Sequence, residues 1–243
     1  TEIAGYTKEL IPVGGGLHDS SAALIPYLAS FTEPFVLLST GTWCITLNPF
    51  NTQPLTVGEL KSDCLSYLSY KGSPVKASRL FAGNEHEQQV KRLAAHYQKE
   101  PDYYKTVKVD PVLLAKYQPD YASLKEASTE TLPGESVFPG RDLSDFSSYE
   151  EAYHLLIADI MTLQVRSSWL VMKNTAFKKI FVDGGFSKNP IYMQLLSAAF
   201  PDMEVYAAAV AQASSLGAAM AMHIHWNKQA LPASLVQLKN YGH

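Results

Sequence analysis

The chain is poor in cysteine, with two among 243 residues. Cys44 and Cys64 lie far apart and in no metal-type spacing. Two such thiols make no disulfide framework, so a reduced, cytoplasmic protein is expected. No Asn-x-Ser/Thr sequon occurs. No long uncharged apolar run offers a bilayer span, and the first residues do not read as a signal peptide. Charge of one sign is lacking too. The formal net charge is −3, with no Lys/Arg block. Nucleic acid and membrane surfaces are therefore not expected partners. The familiar nucleotide loops, Gly-x-x-x-x-Gly-Lys-Ser/Thr and Gly-x-Gly-x-x-Gly, are absent, as is the Gly-x-Ser-x-Gly elbow of serine hydrolases. His86-Glu87-Gln88-Gln89-Val90 opens like a zinc-protease helix, but Val90 stands where the second histidine belongs. His223 and His225 are two apart and fall on different helix faces. No metal site made by this chain is expected.

What is present is an ordinary globular composition, 47% hydrophobic and 18% charged, in a chain long enough for a real core. Residues 10–30 read as strand, glycine turn and helix, the helix covering 22–29; the strand has no evident partner before it. Residues 35–47 read as two strands joined by Ser39-Thr40-Gly41-Thr42, a hairpin pattern. A further strand is expected over 65–70 and a helix over 84–97. Residues 98–146 mix prolines, tyrosines and charges, which predicts short helices and long loops. An irregular stretch of that length often carries specificity or contacts another domain. Ser148-Tyr149-Glu150-Glu151 has the form of a capping box and opens a long, all-round apolar helix to about residue 173. Residues 179–190 read as strand, glycine turn and helix start, with Asn189 as cap and Pro190 as first helical residue. A short strand over 204–206 and a final helix over 212–225 close the pattern. Strands alternating with helices predict an α/β fold with a mixed sheet.

Three places have the residues for chemistry. Asp19 follows the run Gly14-Gly15-Gly16 and precedes a helix. A carboxylate there is placed to take a proton from a bound hydroxyl, or it (or Ser20) simply caps the helix. Ser39-Thr40-Gly41-Thr42 puts backbone N–H groups and hydroxyls in a tight turn, as a phosphate nest or an ordinary hairpin. Asp183-Gly184-Gly185-Phe186-Ser187 lies between strand and helix, as a platform for a flat ligand or a tight connection.

In order and spacing these segments resemble the C-terminal part of the FGGY carbohydrate kinases, of the actin-like ATPase fold with RNase-H-like domains. Gly16-Leu17-His18-Asp19-Ser20 resembles the catalytic-aspartate motif, which makes Asp19 the expected general base. Leu38-Ser39-Thr40-Gly41-Thr42-Trp43 resembles the second phosphate motif, with Gly41 and Thr42 at the β- and γ-phosphates. Phe81-Ala82-Gly83-Asn84-Glu85-His86-Glu87 resembles the nucleotide-contacting helix start, through Gly83 and Glu87. Asp183-Gly184-Gly185-Phe186-Ser187-Lys188-Asn189 resembles the adenosine motif, with Gly184, Gly185 and Asn189 at the nucleotide. Leu216-Gly217-Ala218-Ala219 resembles the helix backing that site. Phe186 replaces a small residue of many members, and Glu87 replaces a Gln of some.

The resemblance implies an ATP-dependent kinase acting on a hydroxyl of a ketose or related sugar, with Mg²⁺ held mainly by a sugar-binding half that this sequence lacks. Residues 1–30 would then end the N-terminal kinase domain, and 31–243 would form the nucleotide-binding domain. The fragment alone is expected to be inactive and to bind ATP weakly. Phe138-Pro139-Gly140-Arg141-Asp142-Leu143 loosely matches a rhamnulokinase loop, which favours rhamnulose or fuculose. An actin-like nucleotide-binding module without sugar chemistry is the alternative, and a homodimer stays open as an assembly.

Overall fold

The computed structural model describes residues 3–126, 135–210, 212–231 and 235–241. A hairpin comes first, β1 (Ile3–Tyr6) paired antiparallel with β2 (Pro12–Gly14). Helix α1 (Asp19–Ser30) follows. The strands of the main sheet are β3 (Phe35–Thr40), β4 (Cys44–Asn48), β5 (Cys64–Leu68), β6 (Pro74–Leu80), β7 (Lys179–Gly184), β8 (Glu204–Ala209) and β9 (Gln237–Asn240). The helices after α1 are α2 (Val57–Lys61), α3 (Ala82–His96), α4 (Pro111–Tyr117), α5 (Tyr121–Glu126), α6 (Tyr149–Met172), α7 (Pro190–Ala199), α8 (Ala213–Ala221) and α9 (His223–Trp226). The seven strands lie in the order β5-β6-β4-β3-β7-β8-β9. β3, β7 and β8 run parallel, and the flanking pairs are antiparallel. The sheet is therefore mixed, as the sequence predicts.

Successive strand residues face opposite sides, and both sides of β3 are apolar. Val36 and Leu38 join a core with α6 and α7, while Phe35 and Leu37 join one with Leu24 and Tyr27 of α1. The sheet is thus a middle layer. α6 is long and apolar enough to cross a bilayer, but 83% of its most apolar window is buried inside the fold.

On the other side α1 and α8 cross closely. Pro26 lies inside α1 and has no N–H to give the Ala22 carbonyl one turn back. Gly217 of α8 comes up against that same oxygen: a Cβ on it would sit 1.8 Å away.

The structure alters several expectations. β1 supplies the partner that the first strand lacked in the sequence. α1 starts at Asp19 rather than 22, and its cap is His18, not Asp19 or Ser20. The chain stays extended through His18, whose imidazole accepts from the Ser20 N–H. The Ser148 hydroxyl does accept the Glu151 N–H, but the Glu151 carboxylate turns to the N–H and hydroxyl of Ser147. The last helix is two, broken at Met222, and the short strand before it runs on to Ala209 as β8. Residues 98–146 hold α4, α5 and single 3-10 turns; 127–134 lie outside the described residues.

Candidate functional site

β3 and β7 are parallel neighbours with Thr40 opposite Gly184, so the chain leaves both strands at one level. Thr40 ties the two exits together. Its carbonyl accepts the Gly185 N–H at 2.7 Å, and its hydroxyl oxygen accepts the Phe186 N–H at 3.0 Å while donating to the Asp183 carbonyl. Gly184 has φ 90°, and a Cβ there would lie 1.9 Å from the Thr40 carbonyl oxygen. Glycine alone meets both demands. The start of α3 presses on the same level. A Cβ on Gly83 would fall 1.8 Å from the Gly41 oxygen, and the Asn84 N–H donates to Thr42 O at 3.1 Å. Two strand exits and one helix start therefore meet.

Between them is a cleft of about 460 Å³. Six sequence-predicted residues line it: Gly41, Thr42, Gly83, Glu87, Gly185 and Asn189. Its other walls are largely aromatic and apolar, with Tyr104, Phe186, Val90 and Pro101. Glycine turns and the Thr42 hydroxyl beside flat apolar walls suit a ligand with a polar tail and a planar head. Gly184 is not in this wall; it faces a neighbouring groove with Asp183, Ser187 and Lys188. Its glycine is explained by backbone packing. Glu87 is exposed and pairs with Lys91 at 2.6 Å, which holds its carboxyl below the usual range. None of residues 138–143 lines the cleft. That loop is clamped to α3 and α6 by Arg92, which donates to the Arg141 carbonyl at 2.6 Å, and by the Arg141–Asp159 pair at 2.8 Å.

Asp19 lies apart, in a second pocket of about 440 Å³ walled by Gly14, Gly15, Leu17, Ser214, Ala218 and Met222 among others. Its side chain is 78% exposed. Oδ1 accepts the Ser20 N–H at 2.7 Å and lies 2.9 Å from His18 Nδ1. One internal bond links this helix to the glycine turn of β7: the Tyr27 hydroxyl of α1 donates to Asp183 Oδ2 at 3.0 Å. Burial raises the Asp183 carboxyl, and burial followed by the Asp183 charge raises the Tyr27 phenol.

Sequence reasoning missed His86 and Tyr153. His86 lines the cleft, T-shaped to Tyr104, Tyr153 and Phe186. Its Nε2 lies 3.0 Å from the buried Tyr153 hydroxyl, which also takes the Asn189 amide at 2.8 Å. Burial pushes the imidazole down to about 4, so it is neutral at physiological pH. The two residues are 67 positions apart, a separation that no local spacing reveals. Beneath the cleft Cys44 is buried and its thiol pushed up to about 12, as is that of Cys64. Neither is a nucleophile at neutral pH.

Residues 32–231 match the family described as carbohydrate kinase FGGY, C-terminal domain. The chain belongs to that family. No curated protein matches it in sequence. Among solved structures it is similar to a carbohydrate kinase from Novosphingobium aromaticivorans, at 21% identity and a TM-score of 0.60 over 96% of this chain and 47% of that one. A xylulose kinase from Rhodospirillum rubrum matches at 16% identity and TM-score 0.61, over 99% and 51%. A glycerol kinase from Plasmodium falciparum, solved with ADP, matches at 15% identity and TM-score 0.53, over 90% and 44%. The chain thus spans about half the length of these structures. The fold is that of the actin-like ATPases.

Proposed function

We propose that this chain is the nucleotide-binding part of an ATP-dependent sugar kinase that phosphorylates a hydroxyl of a ketose or related sugar. One observation carries the reading. In a chain of the FGGY C-terminal family, three separate segments converge on one cleft: Gly41-Thr42, Gly83 with Glu87, and Gly185 with Asn189. The Gly41 N–H is already given to the Trp43 carbonyl at 2.9 Å, so in the Gly41-Thr42 turn the N–H and hydroxyl of Thr42 would orient phosphate oxygens. Gly185 and Asn189 would hold the adenosine, with Phe186 and Tyr104 against its ring. Asp19 would accept the proton of the attacking hydroxyl; its exposure leaves a carboxylate oxygen open to substrate. The fit to ATP rests on the glycine turns, the Thr42 side chain and the flat walls of the cleft. Among the described residues no three His, Cys, Asp or Glu side chains gather to hold a metal ion. No residue here is therefore assigned to Mg²⁺.

On this reading residues 1–30 belong with a sugar-binding domain and 31–243 form the nucleotide domain. The match of residues 138–143 favours a deoxyketose such as rhamnulose or fuculose. A cytoplasmic enzyme fits the buried, unreactive thiols.

The test is a phosphoryl-transfer assay of the complete gene product with ATP over a panel of ketoses, aldoses and glycerol. Turnover on one sugar, lost on Asp19→Asn with ATP binding kept, supports the reading. Nucleotide binding without turnover on any sugar would overturn it in favour of a binding module.

A further inference from the structure

Asn189 has two jobs that fix its orientation. As the cap of α7 its Oδ1 accepts from the N–H groups of Ile191 and Tyr192, at 3.0 and 3.2 Å. Its Nδ2 must then point the other way, and it donates to the Tyr153 hydroxyl at 2.8 Å. Tyr153 is 1% exposed. Its oxygen already receives a hydrogen bond, so its own O–H needs an acceptor. The other partner in reach is His86 Nε2, at 3.0 Å. If Nε2 carried the proton, two donors would point at one hydroxyl and its O–H would be left unmade, a cost that buried networks avoid. Satisfaction of the whole chain requires Nε2 to accept and Nδ1 to carry the hydrogen.

We infer that Asn189, Tyr153 and His86 form a one-way hydrogen-bond relay that fixes His86 as a neutral Nδ1–H donor in the cleft wall, where it reads an acceptor nitrogen of a bound purine base. No described residue accepts from Nδ1, so that donor is uncommitted in the free protein. The rings of Tyr104 and Phe186 stand edge-on to the imidazole, 5.0 and 5.2 Å away, and fix its plane. Burial, which keeps the imidazole uncharged, agrees with a donor of one hydrogen rather than a cation. A ring nitrogen with a lone pair is the group this donor complements; an exocyclic amine is the group it rejects. His86 is thus a specificity-determining residue, and Tyr153 positions it. The purine part of this inference rests on the nucleotide-binding reading above, whereas the relay does not.

Two measurements separate them. Two-bond ¹⁵N–¹H spectra of the uniformly labelled chain at neutral pH report the tautomer of each of the seven histidines, and His86→Gln identifies the signal by its loss. The expected result is the Nδ1–H form for His86, moving toward Nε2–H in Tyr153→Phe. An Nε2–H form in the unaltered chain overturns the relay. The second is titration of the complete gene product with ADP and its 1-deaza, 3-deaza and 7-deaza analogues. One analogue is expected to bind about tenfold more weakly than ADP, the loss of one hydrogen bond, and that gap should vanish in His86→Phe. A merely structural histidine would weaken all four ligands alike, and equal binding of all four to the unaltered chain overturns the base reading. No binding of any of them would overturn the nucleotide reading and the purine inference together, while the tautomer spectrum still decides the relay.

Discussion

The cleft and the Asp19 pocket are built in opposite ways. The cleft is braced from every side. Thr40 joins the two strand exits, Gly83 lies against the Gly41 carbonyl, and Asn189 caps a helix while bonding buried Tyr153. At the Asp19 pocket a Cβ on Gly15 or Gly16 would meet nothing within 4 Å, and the carboxylate is largely in solvent. The contrast teaches where each region draws its precision. Backbone packing sets the frame of the cleft, at Gly83 in its wall and Gly184 beside it, whereas Gly41 and Gly185 have room for a Cβ. The carboxylate is set by one helix start and stands largely open to solvent.

The largest break in this comparison is chemical. Asp19→Asn should leave the thermal midpoint unchanged within error, yet lower kinase turnover of the complete gene product by roughly 10²–10⁴, the usual contribution of a general base. Next comes packing. Gly184→Ala combines the positive φ with the clash against Thr40, and Gly83→Ala meets the Gly41 oxygen. Each should cost about 1–3 kcal/mol or more in chemical denaturation. A loss below about 0.5 kcal/mol would show that the cleft is less tightly braced than described.

Tyr27→Phe is smaller and depends on pH. It removes the hydroxyl that donates to Asp183 Oδ2 in a half-buried setting, at a cost of about 1–3 kcal/mol when the carboxylate is ionised. Asp183 titrates above its ordinary value in the folded chain, so its contribution is full at low pH and falls as pH rises through the folded value. The gap between Tyr27→Phe and the unaltered chain should widen over that same rise. A gap independent of pH would mean that the bond does not stabilise the carboxylate. Smallest of all, Gly16→Ala in the open run should be neutral or stabilise by up to about 1 kcal/mol, through the unfolded chain alone.

How far the sequence revealed all this depended on where each signal lay. Local signals came through: the β3–β4 hairpin, the Asn189-Pro190 cap and the long apolar α6 each advertise themselves within a few residues. β6 did not, because buried Lys76 breaks its apolar pattern and is compensated by Glu59 at 2.9 Å, 17 positions away. β9 is a polar edge strand, exposed along its length, with no alternation to read. At the cleft, six predicted residues converge, but Gly184 turned out to face elsewhere, since a glycine required by packing and one beside a ligand look alike in a string of letters. His86 was invisible as a site residue because its partner comes from another helix.

The parallel pairing of β3 with β7 has one more consequence. Strand pairing counts in whole residues, so the two loops that open at Thr40 and Gly184 can be offset only in steps of roughly 3.3 Å. Deleting one residue from β3 would not nudge one loop past the other; it would jump it a full notch and turn Leu37 and Leu38 to the wrong faces. The gap between the loops is kept by a ratchet rather than a dial, and drift in the surrounding helices reaches it only if a whole tooth is skipped.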